Sequence, residues 1–369
     1  MWVRTDSPTL AARHGGLVGG EKGLKVCRYA LNLINKALSP PARTMQNLAT
    51  VNVSALFSAS ASPSDVALCE QQLLAACTSL GFAKIKGAPV SEDVVRNMRQ
   101  AVAAVFDAPR SNYQSFQVEK TNYRGYVPLG YFTPNDGTTK PDQYEAWKLH
   151  FDVPEHSPVG QQSPLYRPNR WPPIAHKVKD AVLAYWASMD RLNGAVLAAL
   201  CRALKLDADW VLSTLVNPLT NMTLLNYPPS PPKAANWGIH PHKDFNYLTF
   251  LAHDPVGGLE VRTPEGGWID AACEPDEFVM NVGDMLELQS GGRLVSTPHR
   301  VINRSGQARQ SFPYFSVPRF DVRVEPLLPP VPGFKRAPLM AGEASHAIWY
   351  SNWPDEGVKD PAIDLGNYR

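Results

Sequence analysis

The 369-residue chain has little net charge, few cysteines and no long apolar run, and each shortage removes a class of function. A formal charge of +2 offers no concentrated basic face for nucleic acid or for an anionic membrane surface. Five cysteines (Cys27, Cys69, Cys77, Cys201, Cys273) form an odd set with no C-x-x-C pair. That argues against a disulfide framework and a zinc knuckle, and makes a reducing compartment the expectation. No stretch approaches the roughly 18 apolar residues of a membrane span, and the chain has no internal repeat or low-complexity segment. Hydrophobic content of 44% and charged content of 19% are those of an ordinary globular protein, and 34 prolines forecast many loops and strand ends.

Residues 1–44 stand apart, with seven basic side chains against two acidic ones. They read either as an organellar transit peptide or as a non-native extension ahead of Met45, and belong to no fold in either case. A short strand near Val51 and Val53 opens the folded part. Ser64 then reads as the cap of a helix that Gly81 ends, followed by a strand at Phe82–Ile85 and a second helix capped by Ser91. Between Asn112 and Gly160 periodicity fades and aromatics accumulate, as in loops and short strands that could wall a pocket. Pro172-Pro173 introduces a long amphipathic helix to about Ala203, and Asp207–Val216 reads as another. From there to Pro318 short strands alternate with turns, the texture of a jelly roll. The expected organisation is an N-terminal region over 45–160, a helical segment over 161–216, a β core over 217–320 and a tail over 321–369.

The chemistry-bearing residues lie in that β core. If His242-Lys243-Asp244 is a strand, alternation sends His242 and Asp244 to one face and Lys243 to the other. His299, in the strand-like stretch Ser296–Ile302, can add a second imidazole from a neighbouring strand. Two imidazoles and a carboxylate make the facial set that leaves positions open on non-haem Fe(II). Arg309 and Ser311 again share a face, and a guanidinium fork beside a hydroxyl suits a carboxylate.

These residues, in this order, resemble the iron(II)/2-oxoglutarate-dependent dioxygenases of the isopenicillin N synthase-like group. The similarity runs from about Val51 to Phe320. It covers Leu80-Gly81-Phe82, Tyr123-Arg124-Gly125-Tyr126, Asn226-Tyr227-Pro228-Pro229, the H-x-D triplet, Val256–Val261, Gly267-Trp268-Ile269, Asn281–Asp284, Ser296–Val301 and the R-x-S triplet. The resemblance implies a double-stranded β-helix (jelly-roll) core with an N-terminal α/β cap region and a long backing helix. It implies Fe(II) held by His242, Asp244 and His299, and 2-oxoglutarate held by Arg309, Ser311 and Tyr227, with O2 as the other co-substrate. One departure is Leu225, which stands where the family usually has an asparagine.

The implied reaction couples decarboxylation of 2-oxoglutarate to succinate with oxidation, hydroxylation first, of a small organic molecule in secondary metabolism. The carboxylate of Asp244 favours hydroxylation over halogenation; desaturation and ring chemistry remain open. A rival is an isopenicillin N synthase-like oxidase that uses no 2-oxoglutarate, but the glutamine ligand of that enzyme has no counterpart after Gln310. A non-catalytic jelly-roll binding module is the other alternative. Pocket candidates are Tyr126, Phe132, Phe245, Tyr247 and Phe315. His240 reads as a hydrogen-bonded structural histidine, Lys243 as solvated or packed along its stem, and His253-Asp254 as an adjacent pair pointing apart. His150, His156 and His176 lie outside the core. The partner is a small molecule, with no nucleic acid and no membrane; the expected state is a cytoplasmic monomer, organellar if residues 1–44 are a transit peptide.

Overall fold

The computed structural model describes residues 47–132, 140–230 and 237–351; the leader and the last 18 residues of the expected tail lie outside them. The described chain opens with β1 (Thr50–Asn52), α1 (Pro63–Ser79), β2 (Phe82–Lys86) and α2 (Glu92–Asp107). The cap of α1 is Ser62 rather than Ser64. Its hydroxyl accepts from the Asp65 backbone N–H at 3.2 Å while the Asp65 carboxylate accepts from the Ser62 N–H, a reciprocal box with Pro63 at the first helical position. Gly81 ends the helix at φ +72°, and a Cβ there would lie 1.8 Å from the Val295 carbonyl oxygen, so no other residue fits. Ser91 caps α2 by accepting from the Val94 N–H.

The aromatic-rich region supplies β3 (Gly125–Val127) and β4 (Glu145–His150), followed by α3 (Ala175–Ala203) and α4 (Ala208–Ser213). The apolar stripe of α3, from Val178 to Leu200, is buried and packs on α1, α2 and the back of the large sheet. Then come β5 (Asn221–Tyr227), β6 (Ile239–His242), β7 (Leu248–Ala252), β8 (Leu259–Arg262), β9 (Trp268–Asp270) and β10 (Glu277–Val282). A six-residue helix, α5 (Asp284–Gln289), interrupts the strands before β11 (His299–Val301), β12 (Arg309–Ser311), β13 (Tyr314–Ser316) and β14 (Arg323–Val324). The described chain closes with β15 (Leu339–Met340) and α6 (Ala341–Ser351), a helix where the sequence offers only a short apolar stretch.

The large sheet runs β1-β2-β10-β7-β13-β5-β4-β3, with β12 also on β5; the small one runs β6-β11-β8-β9. Among the described strands, all pairings are antiparallel except β1 with β2. One apolar cluster fills the space between the helices and the large sheet. A second joins residues of both sheets, among them Phe82, Ala146, Leu225, Val261, Val279 and Val301. This is the jelly-roll core with its α/β cap and backing helix. Strand parity decides which residues reach its interior. On β4, Trp147 and Leu149 enter the helix-side cluster while Ala146 enters the inter-sheet one, so Lys148 and His150 share the inner face.

Candidate active site

His242 ends β6 and His299 begins β11, directly opposite each other in the small sheet, with ring centroids 4.3 Å apart. Asp244 joins them for a different reason than strand alternation. The chain leaves the strand after His242, and Asp244 is held by hydrogen bonds that its Oδ2 accepts from Thr249 Oγ1 (2.6 Å) and Asn281 Nδ2 (2.8 Å). Its Oδ1 is thereby left 3.8 Å from His242 Nε2 and 3.7 Å from His299 Nε2. Each imidazole has its Nδ1 beside the backbone carbonyl two residues earlier, His240 at 2.8 Å and Thr297 at 3.2 Å. Donation there leaves the lone pair on Nε2.

The protonation states suit metal binding. Burial and the neighbouring His299 ring lower the basicity of His242. Burial opposes ionisation of Asp244, but the His299 and His242 rings and the Asn281 and Thr249 hydrogen bonds outweigh it, so its carboxyl is held below the usual range. Two imidazoles and one carboxylate, with donor atoms within 4.8 Å of one another, fit a divalent metal with open positions. No other group of three such residues is found among the described residues.

On the large sheet, β12 sets Arg309 opposite Tyr227 and Ser311 opposite Leu225. The Arg309 guanidinium is fully buried, 4.8 Å from the centroid of the Tyr227 ring and 3.4 Å from Ser311 Oγ. Its Nε donates to the Gly257 carbonyl at 2.8 Å and pairs with the Asp254 carboxylate. Asp254 is a residue that sequence reasoning passed over. It does diverge from His253, as expected of neighbours, but inward onto Arg309, while His253 turns to the Cys273 carbonyl.

A cavity of about 530 Å³ opens beside His242 and Asp244. Its wall takes Lys148, Asn221, Thr223, Leu225 and Phe315 from the large sheet, Phe245 from the loop after β6, and Ile348 and Trp349 from α6. Of the five pocket candidates, Phe245 and Phe315 are on this wall. Three other candidates are elsewhere. Tyr126 faces the helix side, its ring tilted against those of Tyr113 and Trp147 and its hydroxyl donating to Glu145 at 2.9 Å. Tyr247 is buried in the helix-side core, where its hydroxyl accepts from Gln289 at 3.0 Å. Phe132 sits behind Tyr123 in the inter-sheet cluster.

His150 also departs from expectation: it is buried on β4, with its ring edge-on to Trp349 at 4.8 Å. His240 is hydrogen-bonded, its Nδ1 2.6 Å from Asp142 Oδ1. Lys243 does face away from the triad, but into a buried ionic cluster rather than solvent. Its ammonium is 4.0 Å from both Asp284 and Glu287, which Arg336 also bridges at 3.2 and 2.9 Å.

A jelly roll that brings two imidazoles and a carboxylate together beside a cavity offers the donor set of a non-haem metal oxygenase. Comparison with known proteins agrees. Residues 219–318 match the 2OG-Fe(II) oxygenase superfamily, and residues 50–174 match the region described as non-haem dioxygenase in morphine synthesis N-terminal. A homoarginine-6-hydroxylase of Arabidopsis thaliana is 31% identical over 282 residues, 71% of this chain and 81% of the relative. A 2-oxoglutarate-Fe(II) type oxidoreductase of Aspergillus fumigatus is 30% identical over 258 residues, 66% of this chain and 75% of that one. A full-length Neurospora crassa protein, solved in complex with alpha-KG and thymine, superposes with a TM-score of 0.72 over 85% of this chain and 99% of its own, at 20% identity, a likeness of fold. The chain belongs to the 2OG-Fe(II) oxygenase superfamily. It is an Fe(II)- and 2-oxoglutarate-dependent oxygenase acting with O2 on a small molecule. No helix among the described residues is long and apolar enough to cross a membrane.

Proposed function

We propose that His242, Asp244 and His299 hold the Fe(II), that Arg309, Ser311 and Tyr227 hold the distal carboxylate of 2-oxoglutarate, and that the outcome is hydroxylation of a small organic acceptor. The observation that carries this reading is the set of three unengaged donor atoms, Nε2, Nε2 and Oδ1, turned towards one another beside the cavity. Held by these three residues, Fe(II) would supply the redox chemistry that couples decarboxylation of 2-oxoglutarate with substrate oxidation. The chain's own residues do the positioning. The His240 and Thr297 carbonyls fix the imidazole tautomers, Thr249 and Asn281 fix the carboxylate, and Asp254 holds the Arg309 fork in place. A retained carboxylate at Asp244 favours oxygen transfer over halide transfer. The division into a 45–160 cap region, a 161–216 helical segment, a 217–320 catalytic core and a 321–369 tail is part of the same reading, as is a monomer in a reducing compartment. The test is anaerobic Fe(II) titration of the wild type, His242→Ala and Asp244→Ala, with succinate formation measured in air. Loss of iron binding together with loss of succinate is expected; unchanged iron affinity in both variants would refute the assignment.

A further inference from the structure

Among the described residues, the cavity wall has one desolvated charge that nothing in the oxygenase machinery uses. Of its acidic residues, Asp142 is engaged by His240 and Asp244 belongs to the triad. Of its cationic ones, Lys243 is taken up by Asp284 and Glu287, and Arg262 is exposed. Lys148 is different. Among the described residues its ammonium, with three protons to donate, reaches only Thr223 Oγ1 at a long 3.5 Å and the face of the Tyr123 ring, 4.7 Å from the centroid. It pairs with no carboxylate among the described residues. Desolvation pushes it down to about 8, the cost of a cation drawn out of water without a counter-charge.

We infer that Lys148 anchors a carboxylate of the molecule oxidised, so that the substrate class is a small carboxylic acid with an apolar or aromatic body. This rests on the oxygenase reading of the cavity and adds to it a specificity-determining residue. The strand register separates this anion site from the one proposed for 2-oxoglutarate. Lys148 lies opposite Thr223, and Leu225, opposite Ser311, is two residues further along β5, roughly 7 Å along the strand. A second anion can thus be held beside the first without competing for Arg309. A single ammonium, helped by the Thr223 hydroxyl and the Asn221 amide, matches one negative charge. The rest of the wall, Phe245, Phe315, Ile348 and Trp349, is apolar and suits a hydrocarbon or ring body.

The test is calorimetric titration of the metal-free full-length protein with matched acids and amides: 3-phenylpropanoate against 3-phenylpropanamide, indole-3-propanoate against its amide, and octanoate against octanamide. In at least one pair the acid is expected to bind roughly ten- to a hundredfold more tightly, the worth of a charged hydrogen bond. Lys148→Met should erase the preference and Lys148→Arg should keep it. Excess succinate, which the Arg309 clamp would take, should leave it in place. Equal affinity in all pairs, no measurable binding of the acids, a preference that survives in Lys148→Met, or one abolished by succinate would each overturn the inference. Because binding is read without iron, a failed anchor and a failed oxygenase separate: the latter shows as no succinate formed while the acid preference stands.

Discussion

Replacing Lys148 by methionine is expected to make the metal-free protein more stable at neutral pH, by an amount that fades as the pH rises. The ammonium is pushed from an ordinary 10.5 down to about 8 by desolvation. Between those values the unfolded chain keeps the proton and the folded one does not, so wild-type stability climbs with pH through this window. Below pH 8 the folded state carries the whole cost, ~3 kcal/mol at about 1.36 kcal/mol per pH unit. That figure is an upper bound, since the ammonium borders the solvent of the cavity and the Tyr123 ring returns about 1 kcal/mol to the charged form. Methionine has similar length and no charge, so the variant should gain about 1–3 kcal/mol at pH 7 and little at pH 10. Urea denaturation of both proteins at a series of pH values reads the difference directly. The comparison belongs above pH 7, because burial first and then Arg124 and Lys148 hold His150 well below its usual value, so it is neutral there in both. A variant less stable than wild type at pH 7, or a gap that does not narrow by pH 10, would show that the ammonium is not desolvated as described.

Two further perturbations probe the walls of the site. Asp254→Asn takes the counter-charge from the Arg309 Nε, and should cost about 3 kcal/mol of stability while raising KM for 2-oxoglutarate roughly tenfold or more; an unchanged KM would mean that the Gly257 carbonyl alone orients the fork. Trp349→Ala removes a ring stacked 5.5 Å from Tyr123 and edge-on to His150, which opens the cavity to water. The expected result is succinate formed in excess over oxidised product, measured as their ratio with any accepted substrate, whereas a ratio unchanged from wild type would take α6 out of the catalytic cavity.

What could be read from the sequence was what chemistry demands of residue type. His242, Asp244, His299, Arg309, Ser311 and Tyr227 are legible as candidates because imidazoles, a carboxylate, a guanidinium and hydroxyls are the groups that binding a metal and a carboxylate calls for, and their order along the chain restricts the folds that can gather them. Alternation along one strand does not bring Asp244 to the imidazoles: β6 stops at His242, and side chains from β7 and β10 position the carboxylate. The helices α5 and α6 escaped notice for related reasons. All six residues of α5 are buried, so no polar face marks a period, and α6 is short and carries small residues on its buried side.

The cavity itself was the least legible part, and parity explains why. Over Asn112–Gly160 the sequence has no period to say which residues share a face, so every aromatic there is an equal candidate for the wall. The register of β4 on β5 settles it: Trp147 faces Leu224 and Lys148 faces Thr223 across the same ladder, and one step along the strand exchanges helix-side core for cavity. Tyr126, opposite Trp147, was lost to the core by that step, and Lys148, which has none of the apolar character sought in a pocket, was gained by it. A desolvated lysine is a poor packing choice, since drawing its charge out of water costs more than an apolar side chain would. Its place on the inner face is therefore a stronger pointer to what the cavity binds than any of the rings around it.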